Sequence, residues 1–149
     1  MYAPHIVTIY NIVQEIDPTT LDEVEKAYTT ILRGVMLQAR KAVNVRESGL
    51  ESADAVNLYI PFAVEAVDGV TGKPKTYIGP QSFFKATDKS GLWTLSVNGN
   101  GGLTFFVKGE FVTDKEDVAM AQDGCYNVTK VDAMAYGSFD MQHWEVGGA

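Results

Sequence analysis

The sequence predicts a mainly β fold, a small β-barrel or sandwich with a short helix near residues 19–27, and three observations carry that prediction. Val56, Leu58, Ile60 and Phe62 alternate with Asn57, Tyr59 and Pro61, the two-residue period of a strand with one buried face. A second alternation, Thr104-Phe-Phe-Val-Lys-Gly-Glu-Phe-Val112, sets Phe105, Val107 and Phe111 on one side and leaves Phe106 out of phase with them. Turn signals separate such runs, at Asp68-Gly69, Thr71-Gly-Lys-Pro74 and Asn98-Gly-Asn-Gly-Gly102. Short strands between frequent glycine turns are the pattern of barrels and sandwiches.

The elements follow in order. His5-Ile-Val-Thr-Ile-Tyr-Asn11 is β-branched and aromatic and reads as a first strand, broken by Asp17-Pro-Thr-Thr20. Beyond the break two patterns compete. Leu21, Val24, Tyr28, Ile31, Leu32, Val35, Met36 and Ala39 recur at three- and four-residue steps, and Thr20 with Glu23 matches a capping box, both helical signs. The β-branched residues between Tyr28 and Gln38, with Gly34 among them, favour a strand. The reading adopted is a helical turn or helix near 19–27 and a strand near 28–39. Asn44 to Ala53 is polar and glycine-containing, a loop or projecting hairpin. Pro61 has no N–H to give a ladder, so the strand through Val56 ends there or lies at an edge. Asn98–Gly102 reads as a hairpin connection between Trp93–Val97 and the Phe105 strand, since Asn-Gly pairs adopt positive φ cheaply. It lacks the Lys-Ser/Thr and the helix that would make it a phosphate-binding loop. A further strand runs from about Cys125 to Ala135, then a Tyr136-Gly-Ser138 turn and a last strand, Phe139–Val146. No repeat or linker divides residues 1–149, which read as one domain.

Composition narrows the function classes. A 46% hydrophobic, 21% charged chain of 149 residues can bury roughly two-thirds of its unfolded surface. No apolar run approaches the roughly 20 residues of a membrane span, and Met1–His5 shows no signal-peptide pattern, so synthesis in the cytosol without membrane association is expected. Twelve basic against nineteen acidic residues give a net charge of −7, the opposite of a nucleic-acid grip. That charge fits simple solubility, or a surface past which DNA slides without sticking.

Catalytic and metal chemistry find little footing. Cys125 is the single cysteine and reads as a small buried hydrophobe. His5 and His143 are the two histidines, and neither has a second His or Cys at ligand spacing. On a strand His143 and Glu145 share a face while Asp140 points to the other, so an acid–base or metal role for that group stands beside the plainer reading of an edge histidine. No nucleophile elbow occurs, and the acidic runs at Asp22-Glu23 and Glu116-Asp117 read as solvated faces. No enzyme activity, cofactor or metal is expected. The aromatics Tyr77, Phe83, Phe84, Trp93, Phe105 and Phe111 read as core, with Lys108 the one base in its strand. Phe106, out of phase, is a candidate for a partner interface.

Two segments carry a resemblance. Ser48-Gly-Leu-Glu-Ser-Ala-Asp-Ala-Val-Asn-Leu-Tyr-Ile-Pro61 and the terminal Met141-Gln-His-Trp-Glu-Val-Gly-Gly-Ala149 resemble the small head–tail connector, or head-closure-like (minor capsid), proteins of Gram-positive phages and prophages. In that family a Gly-x-x-x-Ala-Asp run feeds a strand ending in Ile-Pro, and the chain closes on His-Trp-Glu-Val-Gly-Gly. Thr29–Val35, Trp93-Thr-Leu95 and Val107-Lys-Gly-Glu110 match more weakly. The Ser96–Gly102 stretch is looser and richer in glycine, and the acidic stretch before Tyr28 is longer. The resemblance implies a β-barrel virion protein, made in the host bacterial cytoplasm, that forms a homo-oligomeric ring at the neck. Such a ring closes the head and docks the tail, contacting portal or adaptor above and tail proteins below, while DNA passes without specific binding. It also implies exposed strand edges for pairing between neighbours, and loops at 44–54 or 84–102 that project toward the channel or adjacent rings. Phe106, His143, Trp144 and Glu145 are then interface candidates, with Trp144 packing on its own barrel or on a neighbour. A small-ligand-binding β module, a tail terminator and another minor capsid protein are the alternatives.

Overall fold

β-branched and aromatic residues run almost unbroken from His5 to Ile16, and this stretch forms β1 (His5–Ile16). The computed structural model describes residues 3–40, 55–97, 103–110 and 124–149. β1 folds back on β2 (Glu23–Arg40) in a long antiparallel hairpin, from Ile16 opposite Glu23 down to His5 opposite Val35. No helix forms at 19–27. Residues 18–20 make a turn, and Glu23–Ala27 already belong to the strand. The three- and four-residue spacing has another cause. Gly34, at φ +90, carries a bulge that shifts the pairing register between His5 and Ile6. Core-packed positions therefore jump three residues, from Leu32 to Val35, before resuming the period of two at Leu37. The short helix of this chain lies elsewhere, at α1 (Pro80–Lys85), with proline in its first turn and Phe83 buried.

The remaining strands are β3 (Ala55–Pro61), β4 (Glu65–Asp68), β5 (Thr76–Tyr77), β6 (Leu92–Trp93), β7 (Leu103–Lys108), β8 (Cys125–Met134) and β9 (His143–Gly148). The order β1-β7-β8-β9-β3-β2, with β2 returning to β1, closes a six-strand antiparallel barrel. β4 continues the line of β3 along β2, pairing with Thr30–Arg33 where β3 pairs with Met36–Arg40. Within the barrel, closure pairs each strand on both sides, whereas the resemblance implies exposed strand edges for pairing between neighbours.

Val7, Ile9, Leu32, Val35, Val56, Leu58, Ile60 and Val146 fill the barrel. Residues 74–97 cross one end as a plug, where β5 and β6 pair in parallel around α1. Trp93 and Leu95 drop from this plug into the core, so residues 84–97 are part of the fold rather than a projecting loop. β6 pairs with β5, and the hairpin connection expected at 98–102, the loop at 44–54 and Phe111 fall outside the described residues. Asn11 locks the plug to β1. Its carboxamide donates to the Thr94 carbonyl (3.0 Å) and to Thr104 Oγ1 (3.2 Å), and its oxygen accepts from the Thr94 N–H (3.3 Å). Lys75, also buried, donates from Nζ to the Thr29 carbonyl and Thr30 Oγ1. Desolvation pushes the Lys75 ammonium below its usual pKa, against the pull of Asp68.

β7 is buried on both faces. Phe105 and Val107 join Tyr10 and Ile12 in a second cluster, with Tyr10 stacked on Phe105 at 4.8 Å. Phe106 points the other way into the main core, fully buried against Tyr126 and packed under Gly148, where an added Cβ would lie 2.8 Å from its ring. Phe106 therefore packs in the barrel interior rather than on an exposed face. A residue out of phase with one apolar face meets the other when both faces are covered.

Candidate functional site

The terminal strand holds the sequence-predicted group His143, Trp144 and Glu145, and the pleat divides it. β9 lies between β3 and β8, with Tyr59, Glu145 and Asp132 in one cross-strand row and Pro61, His143 and Met134 in the next. Trp144 faces inward at 8% exposure and is the hub of an aromatic cluster. Its ring lies 4.4 Å from Phe62, 4.4 Å from Tyr77 and 5.7 Å from Trp93. Trp144 thus joins the barrel wall to the plug, the own-barrel packing that the sequence had left as one of two choices. Gly148 is small because Phe106 and Val56 crowd its Cβ position.

His143 and Glu145 face outward. His143 Nε2 lies 3.2 Å from Glu145 Oε1, and Nδ1 lies 2.9 Å from the Met141 carbonyl, so both ring nitrogens are engaged. Tyr59 flanks the imidazole with its ring 6.0 Å away. Beside this pair, a depression of about 140 Å³ opens over Gly147, lined by Asn57, Tyr59, Lys130, Glu145 and Val146. That volume is below the roughly 300–1,000 Å³ of cofactor and small-molecule sites. Lys130 pairs with Asp132 at 3.5 Å on the same face. Among the described residues no group of three or more His, Cys, Asp or Glu could hold a metal ion. Cys125 is half-buried, and burial pushes its thiol pKa up, which disfavours the thiolate.

A different surface stands out, and it was not read from the sequence. Strand directions alternate around the barrel, so the β1–β2 turn, the β4–β5 loop and the β8–β9 connection all open at one end. Every exposed large hydrophobic of the described residues sits in or beside these three segments. Ile16, Leu21 and Val24 lie on the hairpin, Val70 in the β4–β5 loop, and Tyr136, Phe139 and Met141 before β9. Leu21 is 77% and Tyr136 80% exposed. Isolated exposed apolar residues are ordinary, whereas these seven of the described residues gather at one end of the barrel. The signal in the sequence was weak: Leu21 and Val24 fit a helix pattern, Val70 and Tyr136 sit among turn formers, and Phe139 and Met141 fall in the expected last strand, where the structure has a short 3-10 turn before β9.

Residues 3–149 match a family of unknown function, DUF6751. The chain belongs to that family. Comparison with curated proteins and with solved structures finds no match. Among the described residues, no helix is long and apolar enough to cross a membrane.

Proposed function

We propose that this DUF6751 chain is a structural protein of a tailed-phage virion, forming a ring at the head–tail connector that closes the head and docks the tail. The observation that carries the reading is the gathering, among the described residues, of the exposed large hydrophobics at one end of a barrel whose interior is filled. Such a module meets its partners through its end and wall rather than through a pocket. The resemblance at residues 48–61 and 141–149 supplies the virion context.

A ring needs two unlike faces on each subunit that close by rotation. The polar outer wall of β3, β9 and β8, with Tyr59, His143, Glu145, Lys130 and Asp132, serves as one lateral face. The apolar end faces the next neck layer. On this reading the net charge of −7 lets DNA pass without binding, and no catalysis, cofactor or membrane is involved. Tail terminator and minor capsid protein are neighbouring roles within the same class. Small-ligand capture has less support, because Trp93, Trp144 and Phe106 occupy the space where a barrel would hold its ligand.

The test is genetic and visual. Phage lacking this gene is expected to accumulate heads and unattached tails, and joined virions are expected to show the chain as a ring at the neck by electron microscopy. Normal virions from the deletion would refute the role.

A further inference from the structure

Ile16, Leu21 and Val24 stand on an arm at the end of the β1–β2 hairpin, past its described pairing with β7. Four residue pairs, from Val13–Lys26 to Ile16–Glu23, carry β1 and β2 beyond Ile12–Ala27. Ile12 is the last residue of β1 that also pairs with β7. At about 3.3 Å per residue the arm reaches roughly 13 Å past that level before its turn. The turn is tightly built: the Leu21 N–H donates to the Asp17 carbonyl (2.7 Å), the Asp17 N–H to the Asp22 carbonyl (2.9 Å), and the Thr19 N–H to Asp17 Oδ1 (2.8 Å). Its inner side leans on the plug, where the Tyr28 hydroxyl donates to Glu15 (2.7 Å) and Lys89 lies 3.8 Å from the same carboxylate. The arm therefore has a defined shape.

Leu21 sits at φ 60, the left-handed region that suits Gly or Asn and disfavours a branched side chain. A strained backbone thus holds an apolar side chain out in water, with Ile16 and Val24 exposed beside it. Neither folding nor solubility is served by that arrangement. In sequence these three residues are flanked by Glu15, Asp17, Asp22, Glu23 and Glu25, against Lys26, which sits 4.9 Å over the Tyr28 ring, and Lys89, which reaches Glu15 from the plug.

We propose that this arm docks into an apolar recess, bordered by Lys and Arg, on another protein of the virion; this rests on the neck reading above. Charge complementarity selects the occupant. An apolar tip ringed by carboxylates repels nucleic acid and fits a basic rim. A second copy of the chain is the less favoured recipient, because several cations of the described residues are already engaged or buried. Arg33 is held by Glu65 and Glu110, Lys75 and Lys89 are buried, and Lys130 pairs with Asp132.

The experiment uses the purified full-length chain with heads and tails separated from particles assembled without it, read by co-sedimentation. Two variants are compared with wild type: Leu21→Gly, and the pair Asp22→Lys with Glu23→Lys. Leu21→Gly is expected to melt no lower than wild type, since glycine relieves the positive φ, yet to bind heads or tails about tenfold more weakly or worse, the loss of one buried leucine. The charge-reversed pair is expected to lose binding too. Raising salt from about 0.1 to about 0.5 M should weaken wild type more than that pair. If both variants bind as tightly as wild type, the arm is not the docking element and the neck reading stands. If instead they lose only self-association, a second copy is the occupant and the proposal is overturned. If wild type binds neither heads nor tails, the neck reading itself fails and takes this proposal with it.

Discussion

Replacing Asn11 with leucine probes how the plug is held in the barrel. The two side chains are similar in size, so Asn11→Leu removes hydrogen bonds without opening a large void. In the wild type the Asn11 carboxamide takes both the N–H and the carbonyl of Thr94, and also donates to Thr104, all of it buried. The variant leaves two backbone groups of the plug unpartnered in the core, each costing about 1–3 kcal/mol. With each orphaned group at the middle of that range, about 2 kcal/mol, and about 1.5 kcal/mol returned by burying leucine, the net loss is about 2–3 kcal/mol. For a domain of this size that corresponds to a fall in Tm of roughly 4–12 °C. Urea unfolding gives the stability difference, and amide exchange at Thr94 should speed up more than exchange along β3 or β9. A stability change below about 0.5 kcal/mol, with Thr94 still protected, would refute the idea that Asn11 anchors the plug.

Other perturbations follow from the same packing. Trp144→Ala should cost about 3–5 kcal/mol by chemical denaturation, because Phe62, Tyr77 and Trp93 all pack on the lost ring; a loss under about 1 kcal/mol would contradict the hub. Deleting residues 143–149 removes the strand between β3 and β8, so the truncated chain should lack cooperative unfolding, and a sharp transition would count against the barrel order. Gly34→Val should destabilise by about 1–3 kcal/mol, through the φ of +90 alone, since no atom lies within 4 Å of the Cβ position. Lys75 carries a pH signature. Its folded pKa lies below 10.5, so between those two values the unfolded chain holds more protons and stability rises with pH. Wild type should therefore gain on Lys75→Met between pH 7 and pH 10 in urea midpoints, and a relative loss would show that the ammonium is not desolvated.

Much of the barrel was readable because alternation survives wherever one face is wet. Val56, Leu58 and Ile60 are buried together as their spacing requires, and Cys125–Met134 falls within the strand read from the sequence. The reading failed where a period was interrupted. One bulge at Gly34 turned a strand pattern into a helical one, and Leu21 and Val24, which completed that false pattern, proved to be the exposed apolar arm. It failed again at Phe106, because both faces of β7 are covered and phase there no longer separates core from surface. The plug was illegible for a simpler reason. Two-residue strands such as Thr76–Tyr77 and Leu92–Trp93 have no period, and their place is set by Asn11, Lys75 and the tryptophans from distant parts of the chain. At the terminal strand the alternation already set His143 and Glu145 on one face, and the structure adds that Trp144, on the other, packs inward against Tyr77 and Trp93.

The central claim is that the chain joins heads to tails, and reconstitution measures it most directly. Particles made without this chain would be mixed with the purified protein, then counted by electron microscopy and titred. The account predicts that DNA-filled heads and free tails join into infectious virions only when the protein is added, with a ring of its density at the junction. Joined, infectious particles in its absence, or no joining and no added density in its presence, would contradict it.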